Sequence, residues 1–194
     1  MSTYPNVADC LEILISAGCT RRVLEHVCTV HDLALPMAKG CKANVDLVSA
    51  GAMLHDLGRA EEHGMSHAVV GARLAEERGL DRRIVEIIRR HIGAGLDEQE
   101  VLEMGLPPGD YIPRSLEEKI VAHADNLVND NQIWHYQDAL EKMLSKGLVR
   151  AADRIRILHD ELSVLYGEDL DCLVDSLREH PGLSSDCRSV LSKF

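Results

Sequence analysis

An all-α fold follows from three features of this 194-residue sequence. Apolar residues recur at i, i+3, i+4 spacing through most of the chain, helix-forming residues dominate, and no alternating strand pattern stands out. The hydrophobic share, 45%, is enough for a real core, and with aromatics at only 3% that core has to be aliphatic.

The elements can be taken in order. A first helix over 6–17 is stopped by Gly18, and a second over 21–39 by Gly40. A third, 44–56, is an apolar approach from Leu47 to Leu54 that ends in His55-Asp56, with Gly58 as its stop. Ser66 is placed to cap a fourth helix, 67–78, whose stripe is His67, Val70, Gly71 and Leu74 and which Gly79 closes. The fifth, 81–91, carries the face Ile84, Ile87, Ile88 on to His91, and Gly93 follows. After a short helix over 97–103 comes the Pro/Gly-rich loop "GLPPGDYIPRS", Gly105 to Ser115, long enough to shape a pocket mouth. Ser115 with Glu118 three residues on has the form of a capping box and opens a helix over 115–130. Amphipathic helices over 136–145, 149–166, 169–178 and 184–192 complete the chain without a readable chemical motif. The expected organisation is a core over 1–130, including the N-terminal helix, and a helical extension over 131–194 packed on it.

Charge and cysteine usage narrow the function. A formal net charge of -11 repels phosphate backbones, and few aromatics can serve as stacking platforms, so a nucleic-acid scaffold role is excluded. A small anionic substrate stays compatible where a metal or a few arginines reverse the field locally. The six cysteines (Cys10, Cys19, Cys28, Cys41, Cys172, Cys187) have no CxxC spacing, which argues against a zinc ribbon and suits a reducing compartment. The N-terminus has no basic stretch before an apolar run, and no apolar run reaches the roughly 20 residues of a membrane span. A soluble, cytoplasmic protein with no membrane partner is expected.

Polar residues on apolar helix faces carry the most information, because burying an unpaired charge is costly. His67 and His91 sit on the buried stripes of their helices, and Gly71, one turn from His67, lets another segment approach closely. In "IVAHADNLV" Asp125 lies between Val121 and Val128 on one face. Two histidines compete in the second helix: His26 shares a face with Val23, Val30 and Leu33, and His31 one with Val27, Ala34 and Leu35. His63, His135, His159 and His180 read as surface or loop residues, and the pair Arg89-Arg90 as a solvated face. Taken singly, each inward residue has a bland account as a hydrogen-bonded core group or a helix end. Several imidazoles and carboxylates on successive buried faces need neutralising together, and a metal ion does that.

The stretches "HVCTV" with Ala34, "AMLHDLGR", "HAVVGA", "RRHIG" and "VAHADNLV" together resemble the HD-domain superfamily of metal-dependent phosphohydrolases. His26-x3-Val30-x3-Ala34 matches the family's first histidine step and selects His26 over His31; His55-Asp56-Leu57-Gly58-Arg59 matches the His-Asp turn. The resemblance covers roughly residues 20–130 and implies an HD-domain helical bundle with additional C-terminal helices. "HAVVGA" and "RRHIG" are similar to the extra histidines of members with a dinuclear metal centre, notably bacterial diadenosine tetraphosphate hydrolases; uncharacterised archaeal HD proteins look similar too.

The resemblance therefore implies six ligands: His26, His55 and Asp125 on one metal, Asp56 as bridge, His67 and His91 on the other. Four imidazoles and two carboxylates suit two divalent transition-metal ions, Fe or Mn before Zn, Co or Ni. The implied activity is hydrolysis of a small nucleotide-like phosphoanhydride or phosphodiester, with Asp56 in the catalytic centre and Arg59 as a phosphate clamp. His123 and Asn126 beside Asp125, and Tyr111 and Arg114 in the proline loop, are further candidate contacts. Two alternatives share the ligand pattern: a mononuclear HD nucleotidase, and a mixed-valent di-iron oxygenase of the same superfamily. The oligomeric state is not encoded in any motif read here.

Overall fold

The computed structural model of the protein describes residues 4–179 and 185–192. Its helices are α1 (Val7–Ala17), α2 (Arg21–Gly40), α3 (Val45–Leu54), α4 (His67–Glu77), α5 (Arg82–Arg90), α6 (Glu98–Glu103) and α7 (Leu116–Asn126). They continue with α8 (Tyr136–Ser145), α9 (Val149–Tyr166), α10 (Leu170–Glu179) and α11 (Ser185–Leu191). A 3₁₀ turn covers Leu57–Ala60, and a two-stranded antiparallel hairpin, β1 (Val128–Asn129) with β2 (Gln132–Ile133), pairs Val128 with Ile133. The fold is all-α, as expected.

The organising element is α2. It packs against α3 and α7 and also meets α9, α10 and α11. Its fully buried Leu24, Leu33 and Met37 join Leu54, Ile87 and Ile120 in an aliphatic core. Each such side chain contributes about 1.5–3 kcal/mol by leaving water.

Helix ends follow local chemistry. Asn6 caps α1 through a reciprocal capping box with Asp9, and Gly18 ends it at φ 95° in the left-handed region. Gly79 and Gly93 likewise take positive φ, whereas Gly40 is the last residue of α2, pressed against the Tyr166 ring. Ser66 does not cap α4: its backbone is already helical and its side chain makes no cap bond. Ser115 accepts from the Glu118 amide at 3.2 Å, but the Glu118 carboxylate returns to the Arg114 amide at 2.7 Å, one residue before the expected box position.

Several expectations need correction. The helix over 115–130 stops at Asn126, because the chain turns back through the hairpin with Asp130 at φ 56°, a conformation aspartate tolerates. The third helix stops at Leu54, leaving His55-Asp56 at the junction with the 3₁₀ turn. His159 is buried, stacked on Tyr136 with ring centroids 4.0 Å apart and bonded to His123 at 3.1 Å. Arg90 is not on a solvated face either: its guanidinium reaches Glu86 and Glu118, each at 3.0 Å, and anchors the proline loop by donating to the Asp110 carbonyl at 3.2 Å. Arg89 pairs with Glu76 at 3.0 Å. His63 is exposed and His135 half-buried, as expected, while His180 lies outside the described residues. The cysteines are not all free thiols: Cys28 and Cys187 form a disulfide that joins α2 to α11. No helix among the described residues is long and apolar enough to cross a membrane.

Candidate metal centre

Two glycines bring the His-Asp doublet to its partners. A Cβ on Gly58 would collide with the His67 carbonyl oxygen and stand 2.6 Å from the Gly71 nitrogen. A Cβ on Gly71 would come within 2.8 Å of Ile88 and 2.9 Å of the Gly58 nitrogen. Only backbone without side chains fits there, so the 3₁₀ turn lies directly on α4. That contact carries Asp56 to His67, with Nε2 3.2 Å from Oδ1.

All six expected ligand residues converge. On one side, His26 Nε2 stands 3.0 Å from Asp125 Oδ1, and His55 Nε2 is 3.3 Å from His26 Nε2 and 3.5 Å from Asp125 Oδ1. On the other, His67 Nε2 is 2.9 Å from His91 Nε2. Asp56 lies between them and divides its oxygens. Its Oδ2 faces His26 and His55 at 3.8 and 3.9 Å, and its Oδ1 faces His67 and His91 at 3.2 and 3.8 Å. His31, the competitor of His26, is turned elsewhere, onto the Ser49 hydroxyl at 3.0 Å.

The four imidazoles share one device. Each directs Nδ1 at a backbone carbonyl: His26 at Asp130, His55 at Ala52, His67 at Gly64 and His91 at Ile88, at 2.7–2.8 Å. A carbonyl only accepts, so each Nδ1 carries a proton and each Nε2 points inward, with its lone pair free wherever the ring is neutral. Lone pairs facing one another at 2.9 Å repel unless a cation or a proton lies between them. The carboxylates sharpen that demand. Burial would raise Asp56, but His55, His67 and His91 hold it well below the usual carboxylate range, and His26 and His55 do the same for Asp125. Burial would also lower His55, yet Asp56 and Asp125 bring it up to about 9. Burial together with the charges on His55 and His67 pushes His91 down to about 3. Four imidazole nitrogens and two ionised carboxylates form a donor set that fits divalent transition metals.

The cluster is the floor of a cavity of about 760 Å³, large enough for a nucleotide-sized molecule. Arg59 lines it and bonds Asp56 Oδ1 at 3.2 Å and the His63 carbonyl. Asn126 also lines it, its buried Nδ2 unpartnered among the described residues. His123 instead faces α9 and bonds His159, away from the cavity. Tyr111 is buried with its hydroxyl on the Pro107 carbonyl, and Arg114 is exposed and paired with Asp110; neither lines the cavity. The sequence reading missed the Asp130 carbonyl, which orients His26 through backbone alone, and Lys142 of α8 with Lys146 just past its end, which line the cavity wall.

The HD domain family model matches residues 23–130. An uncharacterised protein of Methanocaldococcus jannaschii is 43% identical over 155 residues, covering 76% of this chain and 91% of that protein. A protein of Thermoplasma volcanium named tRNA (cytidine(56)-2'-O)-methyltransferase is 43% identical over 167 residues, 86% of this chain and 49% of the relative. The chain thus spans about half the length of that methyltransferase-named relative. Among solved structures, the HD domain of the L. monocytogenes phosphodiesterase PgpH, in complex with cyclic-di-AMP, shares the fold at TM-score 0.53 and 17% identity, over 81% of this chain and 95% of that one. With more than half its length matched by the family model and the 43% identical M. jannaschii relative covered over 91% of its length, the chain is a member of the HD domain family.

Proposed function

We propose that this chain is a metal-dependent phosphohydrolase that uses two divalent transition-metal ions, Fe or Mn foremost, to cleave a small nucleotide-like phosphodiester or phosphoanhydride. The observation that carries the reading is the division of Asp56, with one oxygen toward His26 and His55 and the other toward His67 and His91. One ion would be held by His26, His55 and Asp125, the other by His67 and His91, with Asp56 shared. Bound there, the ions would supply an activated water and neutralise charge developing on the phosphate.

The chain's own groups do the rest. The Nδ1–carbonyl bonds hold each ring in orientation and keep every Nε2 aimed inward, so little side-chain rearrangement is needed on binding. Arg59 fixes Asp56 through Nε and holds the His63 carbonyl through Nη1, which leaves Nη2 to donate to a phosphate oxygen. Asn126 Nδ2 offers a donor to the substrate. The buried floor keeps bulk water from competing with those contacts.

The test is elemental analysis of anaerobically purified protein beside His91→Ala, with hydrolysis of bis(p-nitrophenyl) phosphate, cyclic-di-AMP and diadenosine tetraphosphate. Two ions falling to one in the variant, with release of product, support the reading. One ion in both proteins favours the mononuclear nucleotidase, and oxygen uptake with an iron(II)/iron(III) signal favours the oxygenase. The methyltransferase-named relative supplies a reason to add a short oligoribonucleotide to the panel, since its name places it on RNA. The charge of -11 argues against grip on a long RNA backbone, so cleavage is expected at a chain end or in short fragments.

A further inference from the structure

Above the metal centre, the cavity wall is continued by the segment that follows residue 130. Lys142, Met143, Lys146, Leu148 and Ala151, from α8 and the start of α9, all line it. The cations in this wall differ in their partners. Arg22 is paired with Asp130 and Arg59 with Asp56. Lys142 and Lys146, among the described residues, have no carboxylate within ion-pair distance.

Lys142 is also held in place. Its Nζ bonds Asn129 Oδ1 at 2.8 Å and lies 5.3 Å from the Trp134 ring centroid. An amide and a ring orient an ammonium without cancelling its charge. Lys146 follows four residues later, at the C-cap just past the end of α8, and the two like charges repel each other. Burial and Lys146 both bring the Lys142 pKa down. The acidic groups that face Lys142 are Asp125 and Asp130, the first in the metal centre and the second on Arg22. In a chain of net charge -11, two neighbouring cations left unneutralised on a cavity wall call for an anion.

The same cavity is also lined by the apolar side chains of Ile92, Leu96 and Met104, beside Glu100. A base can rest there while its phosphates reach both ends.

Building on the phosphohydrolase reading, we propose that Lys142 and Lys146 form a second phosphate subsite, and that the substrate is a nucleotide with a further phosphate besides the one at the metal centre. The lysines determine specificity. They hold the non-reacting phosphate and so place the reacting one.

The experiment compares two probes that differ by one terminal phosphate, the dinucleotides ApA and pApA. Binding is measured by calorimetry on Mn²⁺-loaded protein with hydrolysis-resistant phosphorothioate-linked forms, and cleavage is followed separately with the ordinary forms. The wild-type protein is expected to bind pApA at least tenfold tighter than ApA. In Lys142→Gln/Lys146→Gln that ratio is expected to fall within twofold of unity, and Lys142→Arg is expected to keep it. A merely structural role for the lysines would weaken both probes together and leave the ratio intact, which would overturn the assignment. Equal binding of the two probes by the wild-type protein, or binding of neither, would overturn it as well. A preference that disappears in the double variant while neither probe is cleaved would uphold the subsite and count against the hydrolase reading.

Discussion

On the two-metal reading, replacing Gly58 by alanine should dismantle half of the centre from a position that is not itself a ligand. The new Cβ would strike the His67 carbonyl and sit 2.6 Å from the Gly71 nitrogen, where ordinary contact begins at 3.4 Å. Both obstacles are backbone of α4, so no rotamer change relieves them. The helix or the 3₁₀ turn has to retreat by about 0.8 Å at Gly71 alone, and metal ligands tolerate only about 0.2 Å. Overpacking of this kind costs about 3 kcal/mol, which for a chain of this length lowers Tm by about 6–12 °C. His67 moves with α4, while His26, His55 and Asp125 belong to α2, the end of α3 and α7. Gly58→Ala should therefore keep one metal per chain and lose the other. Calorimetry with elemental analysis reads both effects. Gly79→Ala is the control: its Cβ meets nothing within 4 Å, so it should show only the left-handed backbone penalty of about 1–2 kcal/mol and keep both metals. A Gly58→Ala protein that melts within 2 °C of wild type and binds two metals would refute the claim that this glycine contact sets the site.

Three further outcomes are expected. Saturating metal at about a thousand times its Kd should stabilise the fold by about 4 kcal/mol, so a chelator should lower Tm by about 8–16 °C; an unchanged melt would count against a metal bound by the folded state. His123, pushed down to about 3 first by burial and then by His159, is neutral in the fold but charges on unfolding below its ordinary value of 6.5. Stability attributable to it is thus complete above pH 6.5 and is lost at about 1.4 kcal/mol per unit as pH falls toward 3, a slope that denaturant melts of His123→Gln should lack. Denatured, unreduced protein should titrate as the four thiols Cys10, Cys19, Cys41 and Cys172, and reduction of Cys28–Cys187 should cost about 2–4 kcal/mol; six thiols without reductant would exclude the bridge.

The elements were legible because their apolar stripes are regular and their stops are local. Ile84, Ile87 and Ile88 mark α5 whatever surrounds it, and Gly18 ends α1 on its own. The hairpin after Asn126 was not legible, since two-residue strands leave no alternating pattern and Asp130 turns on a single backbone angle. The burial of His159 escaped for another reason: it depends on Tyr136 and His123, contributed by two other helices. At the candidate site the ligand types could be read from motifs. The choice of His26 over His31 could not be read from periodicity, because both histidines sit on half-apolar faces; in the fold Ser49 satisfies one and Asp125 faces the other. Lys142 and Lys146 carried a faint signal in "EKMLSK", like charges four apart, which only a three-dimensional cavity distinguishes from a solvated helix end.

The family match ends at residue 130, but the cavity does not. Its floor belongs to the shared core and part of its wall to a helix that follows it. Such a division lets selection act on the two parts at separate rates. On the phosphohydrolase reading, substitutions along α8 can trade one substrate for another while the donor atoms beneath stay untouched, and a lineage can keep its chemistry while it changes its diet.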